Sequence, residues 1–558
     1  MRFAWLPGVL TGCTSVAALP AVRFANAPAV AVVDDRRDVP KPPARRHFRP
    51  RLYVYDATFE GPIVHALDVQ RDRRALGINA LDEVPDSTWF TNRIGLRDLP
   101  PDEITTGPLT NHPELHMPWT VRSTKIGGTT IGFIITDSLG VTYLLKFDAA
   151  GDPPELETGT QLIVNRLLWA CGYNVAEDQI VYLRAEDLVL AADAVVKGAD
   201  GDDIGRLERD EFERQLARAR HEPDGRIRAL ASRWIDGKNL GGHPAEGRRG
   251  DDPNDLIPHQ LRRDLRGLYT IYAWLDAVDV TEGQFVDSWV TDPADPERHY
   301  VKHYAIDFGK SLGAMGGIDF DWWRGHAYRI DFAQMAKQLV TFGAAPRPWQ
   351  DRHAPALRGV SPLFEARAFD PGAWHPDTPG YTPFLMADRI DKFWGARLVA
   401  RFTRGQIRGA VAAARFSDPR AVDYLVETLV ARQRATEAYW FSRVNPLDHF
   451  TIAATRDGPA LCFDDLGITT GVATIATRYT ITSFDAAASP LGSLDAIYAA
   501  RDGHTCAPSL PLASHAASNG YTILRITTTR PGFTGETFVH IARDPSSGAA
   551  RVIGIWRT

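Results

Sequence analysis

The chain has 558 residues, 44% hydrophobic and 24% charged, with a formal net charge of −6. That length exceeds one ordinary hydrophobic core and predicts roughly two to four domains. Acidic and basic residues interleave, which excludes the basic stripe of a usual nucleic-acid binder, and no uninterrupted run of about 18 apolar residues is present to span a membrane.

Met1-Arg2 precedes an apolar run over 3–10 and then Leu10-Thr11-Gly12-Cys13. This start resembles a bacterial lipoprotein signal. The resemblance implies cleavage before Cys13, a lipid on its thiol, and a diacyl anchor in the bilayer, on the periplasmic face or the outer membrane of the cell envelope. The alternative is an accidental L-x-x-C in a cytosolic protein. Four cysteines with no C-x-x-C pair argue against structural zinc. In an oxidising compartment Cys462 and Cys506, in one C-terminal segment, are placed for a disulfide, and Cys171 stays free and packed.

Residues 34–51 are charged and proline-rich and read as a tether, with folding starting near Leu52. A turn-rich stretch follows. Gly127, Gly128 and Gly132 then lead into the apolar run 133–135, a turn at 137–140 and a second strand over 141–147, which predicts a β-hairpin. Leu156, Leu162, Ile163, Leu167 and Leu168 predict a helix ended by Gly172. Residues 175–190 return to strand composition, and 197–225 read as a charged, solvated insert with a helix over 210–220. A helix over 259–275 buries Leu261, Leu265, Leu268, Ile271, Tyr272 and Leu275. Residues 346–383 are loop-rich, helices dominate 387–442, and the period changes to alternation in a β-rich C-terminal domain from about residue 450.

Phosphoryl transfer needs a cation for the nucleotide phosphates, ligands for a divalent metal and a base near the acceptor. Lys146 stands in the second strand of the glycine hairpin. Glu157 and Gln161 lie four apart on the next helix, on one face, so that either can orient Lys146. The helix 259–275 leads into Asp276-Ala277-Val278-Asp279-Val280-Thr281-Glu282-Gly283-Gln284, whose Asp279 and Gln284 keep the D-x-x-x-x-N spacing with an amide of one more methylene. A strand over 299–306 then delivers Asp307-Phe308-Gly309.

Together these segments resemble a group of uncharacterised bacterial kinase-like proteins, similar to the HipA and phosphoinositide-kinase branch of the protein-kinase-like superfamily, over about 120–315. The resemblance implies Lys146 for the ATP phosphates, Asp279 as the catalytic-loop acid and Asp307 as a ligand of Mg²⁺; Gln284, from its spacing, is a second candidate ligand, and Gly127, Gly128 and Gly132 are either a phosphate cradle or plain hairpin glycines. The chain departs from the family pattern at Ala277, at Gln284, and at Gln161 where a helix Glu is expected. The expected fold class is α+β: a lipoprotein signal over 1–13, a tether over 14–51, an N-terminal extension over 52–120, a bilobal kinase-like body with an N-lobe over 121–255 and a helical C-lobe over 256–445, and a β-rich domain over 450–558. The expected function is an ATP- and Mg-dependent phosphotransferase acting on an unknown protein or small-molecule acceptor, with a catalytically degenerate pseudokinase serving as an envelope scaffold as the alternative.

Other patterns overlap this segment. Gly309-Lys310-Ser311 resembles the end of a P-loop, but Tyr304 stands where its first glycine is required. Gly309-Lys310-Ser311-Leu312-Gly313 satisfies G-x-S-x-G, a third reading with Ser311 as a hydrolase nucleophile. His299 and His303 share a strand face and read as packed or surface residues in the absence of converging ligands. Asp200-Gly201-Asp202-Asp203 departs from the EF-hand order and reads as a solvated loop.

Overall fold

The computed structural model describes residues 19–67, 73–110, 115–127, 130–198, 201–315, 323–347, 349, 354–456, 458–516 and 518–558. Cys13 and Gly128 lie outside these residues. The chain mixes sheets and helices. Its first sheet has seven strands, β1 (Trp119–Thr124), β2 (Gly132–Thr136), β3 (Thr142–Phe147), β4 (Asp178–Leu183), β5 (Leu188–Lys197), β6 (Asp203–Arg206) and β7 (Ile227–Arg233), in the order β4-β7-β3-β2-β1-β5-β6. Only the β1–β5 pair is parallel.

The two-residue side-chain period of a strand decides what each face of this sheet does. Phe133, Ile135, Leu145 and Phe147 point to one face and are fully buried, while Ile134, Leu144 and Lys146 point to the other and line a cavity. The charged insert covers the first face rather than lying solvated. Its helix Arg209–Leu216 buries Phe212 and Leu216, and the Phe212 ring sits 5.1 Å from that of Phe133. Two apolar residues four apart are enough to dock a helix whose other positions are charged. The helix Leu156–Cys171 lies on the opposite face, where Leu162 packs with Ile180 and Leu230.

A second sheet, β8 (Lys238–Asn239), β9 (Phe285–Asp292) and β10 (Asp295–Ala305), adjoins a helical body. The helix Arg263–Leu275 is buried along its whole length and packs against Arg389–Ala400 and Pro419–Phe441. Trp274 and Trp394 are its largest apolar anchors, and the Trp274 indole donates to the Leu429 carbonyl at 2.9 Å. Aromatic groups of this size give the largest burial per residue, and a buried indole N–H needs such a partner.

The C-terminal region holds β11 (Leu447–Thr455), β12 (Gly458–Asp465), β13 (Arg478–Asp485), β14 (Pro490–Tyr498), β15 (His504–Ala507), β16 (Thr522–Arg530), β17 (Phe533–Arg543) and β18 (Ala550–Arg557). They form a three-stranded sheet β11-β12-β15 and a five-stranded sheet β14-β13-β16-β17-β18. Cys462 and Cys506 face each other across β12 and β15 and are joined as a disulfide, while Cys171 is free and buried. Among the described residues no helix is long and apolar enough to cross a membrane.

The segment expected as a tether departs most from its composition. From residue 19 it runs over the folded body. Asp35 accepts the Thr88 amide and hydroxyl at 2.8 Å each, the Val39 amide donates to His299 O at 2.7 Å, and the Arg46 amide donates to Leu240 O at 2.8 Å. Gly241, at φ +77°, leaves room for the strap, since a Cβ there would collide with the Arg46 carbonyl oxygen. An extended segment anchored by carboxylates and backbone bonds carries no apolar period, so its sequence looks like linker.

The C-terminal sheets are fastened to the body by buried charge. Asp82 bonds Arg557 at 2.8 Å and Arg263 at 3.1 Å, and Asp448 takes Arg397 at 3.1 Å and Arg557 at 3.0 Å. Burial alone would raise the Asp82 pKa, but Arg263, Arg557 and Arg397 outweigh it and hold the carboxyl below its usual range. Removing one partner of such a network strands the others without water. Asp82→Asn, which keeps the left-handed backbone that Asp82 adopts at φ 61°, is expected to cost about 3–5 kcal/mol in chemical denaturation.

Candidate functional site

β9 and β10 are antiparallel, with Phe285 opposite Ala305, so the residues before β9 and after β10 meet at one end of the hairpin. The Ile306 amide donates to the Gln284 carbonyl at 2.9 Å and closes that end. Asp279 precedes the hairpin and Asp307 follows it. Both line a cavity of about 480 Å³ that the seven-stranded sheet walls on its other side with Lys146.

Lys146 bridges the two walls. Its ammonium donates to Asp307 Oδ1 at 2.5 Å and to Gln161 Oε1 at 2.9 Å. Burial, the largest single effect, would lower the lysine pKa, but the charge and hydrogen bond of Asp307 together with the Glu157 and Asp178 charges outweigh it and raise it; the Lys146 charge, ahead of burial, pulls the Asp307 carboxyl down to about 2. Asp307 adopts φ 61°, a left-handed backbone that aspartate tolerates better than most residues. Its side chain is 46% exposed, into the cavity, whereas that of Lys146 is 8% exposed. Asp307 therefore presents a carboxylate to a ligand while neutralising a buried cation.

Gln161 has a reason to be an amide. Its Oε1 accepts from Lys146 while its Nε2 donates to Asp178 Oδ2 at 3.1 Å. Asp178 is 1% exposed, and burial raises its pKa. A second carboxylate at 161 would face the first across a hydrogen bond it could not supply. Glu157, one turn earlier, accepts the Thr130 hydroxyl at 2.5 Å, and burial raises its pKa too. It thus ties the glycine hairpin to the helix and does not bond Lys146.

The glycine loop is partly described. Gly127 takes φ 57°, and at Gly132 a Cβ would collide with the Leu145 carbonyl. Gly132 thereby allows close strand packing and Gly127 a turn; neither fact depends on a phosphate.

Asp279 accepts the Lys310 ammonium at 2.8 Å. Gln284 lines the cavity, but its Oε1 accepts the Thr281 hydroxyl, and Thr281 also caps the turn through the Gly283 amide. The amide oxygen singled out for metal by its spacing thus has one of its two lone pairs engaged. Ser311 is 1% exposed, and its hydroxyl has no hydrogen-bond partner among the described residues, so the base a hydrolase nucleophile needs is missing. His299 stacks on Trp289 as a packed residue, whereas His303 bonds Asp287 at 2.7 Å under a stacked Trp89 ring and His243 faces the same carboxylate at 3.5 Å, so three buried ligand-bearing side chains converge there.

Several site residues escaped sequence reasoning. Asp178 reads as one polar position in a strand. Thr130 lies between hairpin glycines, and Arg45, Arg46, His47 and Phe48 belong to the presumed tether, yet all four strap residues line the cavity. Lys125 lines it as well; burial and then the Lys146 charge lower its pKa.

No family model matches the chain, and no curated protein matches it. Among solved structures it is similar to the crystal structure of the Golgi casein kinase with Mn/ADP bound, at 11% identity over 66% of this chain and 96% of that chain, with a TM-score of 0.23. The kinase-like reading of this chain therefore stands on its own geometry.

The hydrogen-bond chain from Lys146 through Gln161 to Asp178 yields a counterintuitive expectation. Gln161→Glu, which places a carboxylate where the kinase-like resemblance expects one, is expected to destabilise the protein by roughly 1–3 kcal/mol, because Asp178 loses the Gln161 donor and gains a like-charged neighbour. Thermal and urea denaturation measure it; a stabilised variant would contradict the assignment.

Proposed function

We propose that this chain is a kinase-like envelope lipoprotein that binds ATP with Mg²⁺ and transfers a phosphoryl group to an acceptor hydroxyl. In this reading residues 121–255 form the N-lobe and 256–445 the C-lobe of a bilobal body, 450–558 form a separate β-rich domain, and Cys13 carries the lipid anchor. One observation carries the proposal: a buried lysine on the second strand of a glycine hairpin shares one cavity with the aspartate that follows a β-hairpin and the aspartate that precedes it. Phosphoryl transfer is mostly positioning and charge stabilisation, so this constellation is what the chemistry requires.

The residue roles follow from their surroundings. The Lys146 ammonium, held between the sheet and Asp307, binds phosphate oxygens. Asp307 fits a divalent cation: its exposed carboxylate has one oxygen on Lys146 and the second without a hydrogen-bond partner among the described residues. Mg²⁺ commonly needs only one or two carboxylates when phosphates and water complete its shell. When bound, the cation neutralises phosphate charge. Asp279 orients the acceptor hydroxyl and takes its proton. Ile134 and Leu144 supply an apolar wall for the base.

The rival reading, a degenerate pseudokinase acting as a scaffold, is favoured by the Gln284 oxygen being occupied by Thr281. Calorimetric titration of the full chain with Mg-ATP separates the two. Wild type is expected to bind, and Asp307→Asn, which keeps the shape and removes the charge, is expected to bind at least about tenfold more weakly, or about 1.4 kcal/mol. Absence of binding in wild type, or equal binding by the variant, would sink the nucleotide site and leave the scaffold.

A further inference from the structure

We infer that Lys310 is a catalytic residue of this site, whose ammonium holds the transferring phosphoryl group and passes between it and Asp279. The inference rests on the phosphotransferase reading above. The one sequence pattern that includes this lysine, the end of a P-loop, fails at Tyr304, so spacing assigned it no role.

Three observations carry it. First, Lys310 lines the cavity with its Nζ 2.8 Å from Asp279 Oδ2, and Asp307 lines the same cavity. Its ammonium therefore sits on the carboxylate assigned to the proton, in the cavity that also holds the one assigned to the metal. The reacting phosphorus must pass between those two groups.

Second, the ion pair is redundant as a fastening. Two backbone hydrogen bonds already lock the segment to the catalytic loop, from the Val278 amide to Lys310 O at 3.3 Å and from the Leu312 amide to Leu275 O at 2.9 Å. The Lys310 and Asp279 side chains are 33% and 22% exposed, and pairs open to water add about 0–1 kcal/mol. A purely structural role would leave little for this lysine to do.

Third, the cavity concentrates cations. The Lys125 ammonium has no hydrogen bond or ion pair among the described residues and shares the cavity with the ammonium groups of Lys146 and Lys310. A polyanion seated among the three would be held by all of them, and a nucleoside triphosphate has the required charge.

The acceptor oxygen forms a bond to the γ-phosphorus while the bond from that phosphorus to the bridging oxygen breaks. The electron pair leaves with the nucleoside diphosphate, and the acceptor proton passes to Asp279. Lys310 makes and breaks no covalent bond: moving its ammonium onto a γ-phosphoryl oxygen stabilises the charge there and frees Asp279 to receive the proton.

The test uses the full chain, Mg-ATP and water as the acceptor, reading nucleoside diphosphate release alongside calorimetric affinity for a non-hydrolysable ATP analogue and the melting temperature. Lys310→Met is expected to lower kcat by about 10²-fold, the scale of losing one preorganised donor, with analogue affinity within about threefold and melting nearly unchanged. Lys310→Arg, which keeps the charge, is expected to recover part of the loss and covers the case in which the methionine variant misfolds. A kcat for both variants within about twofold of wild type, or a loss traced wholly to weakened affinity or folding, overturns the role of Lys310 alone. Wild type that binds the analogue but releases no diphosphate overturns the catalytic reading and this inference with it.

Discussion

A lysine taken out of water needs a counter-charge, and in this protein the requirement links two halves of the molecule. Lys146 belongs to the seven-stranded sheet, Asp307 to the loop beyond the β9–β10 hairpin, and their ion pair spans the cavity between them. The separation of a charged pair from water is favourable only with close geometry and further hydrogen bonds. Both are present: Gln161 takes another of the ammonium's protons and is itself held by Asp178. The pair thus fixes how the sheet faces the helical body, and it sets side by side the cation and carboxylate that a nucleotide and its metal need.

The surrounding chain holds this arrangement without entering it. The Asp82 and Asp448 network with Arg263, Arg397 and Arg557 fastens the C-terminal sheets to the body. The strap over 19–49 runs from the C-terminal sheets, where Phe24 meets His540, to the cavity, where Phe48 lines the wall. A segment that touches both regions couples their stability, so the N-terminal residues belong to the architecture of the site whatever precedes them.

Legibility in the sequence followed the period of each element. The hairpin of β2 and β3 showed as glycines around alternating apolar residues, and the helix Leu156–Cys171 as leucines three and four apart with a glycine stop, because burial imposed those patterns. Lys146, Asp279 and Asp307 were found by order and spacing along the chain. What stayed hidden was cross-chain: Asp178 supporting Gln161, Thr130 holding Glu157, and Lys310 on Asp279 join residues 17, 27 and 31 apart, each through a single hydrogen bond. One hydrogen bond between two polar residues leaves no periodic trace. The strap was misread for a related reason, since buried carboxylates such as Asp35 anchor it where apolar residues usually do.

Labelling with an acyl-phosphate derivative of ATP, followed by peptide mass spectrometry, tests whether the cavity around Lys146 seats nucleotide phosphates. Such a reagent acylates lysines lying against the phosphates. If phosphates bind there, Lys146, Lys125 or Lys310 is labelled and excess Mg-ATP suppresses the labelling. Labelling confined to lysines outside the cavity, or labelling that Mg-ATP leaves unchanged, would contradict that binding.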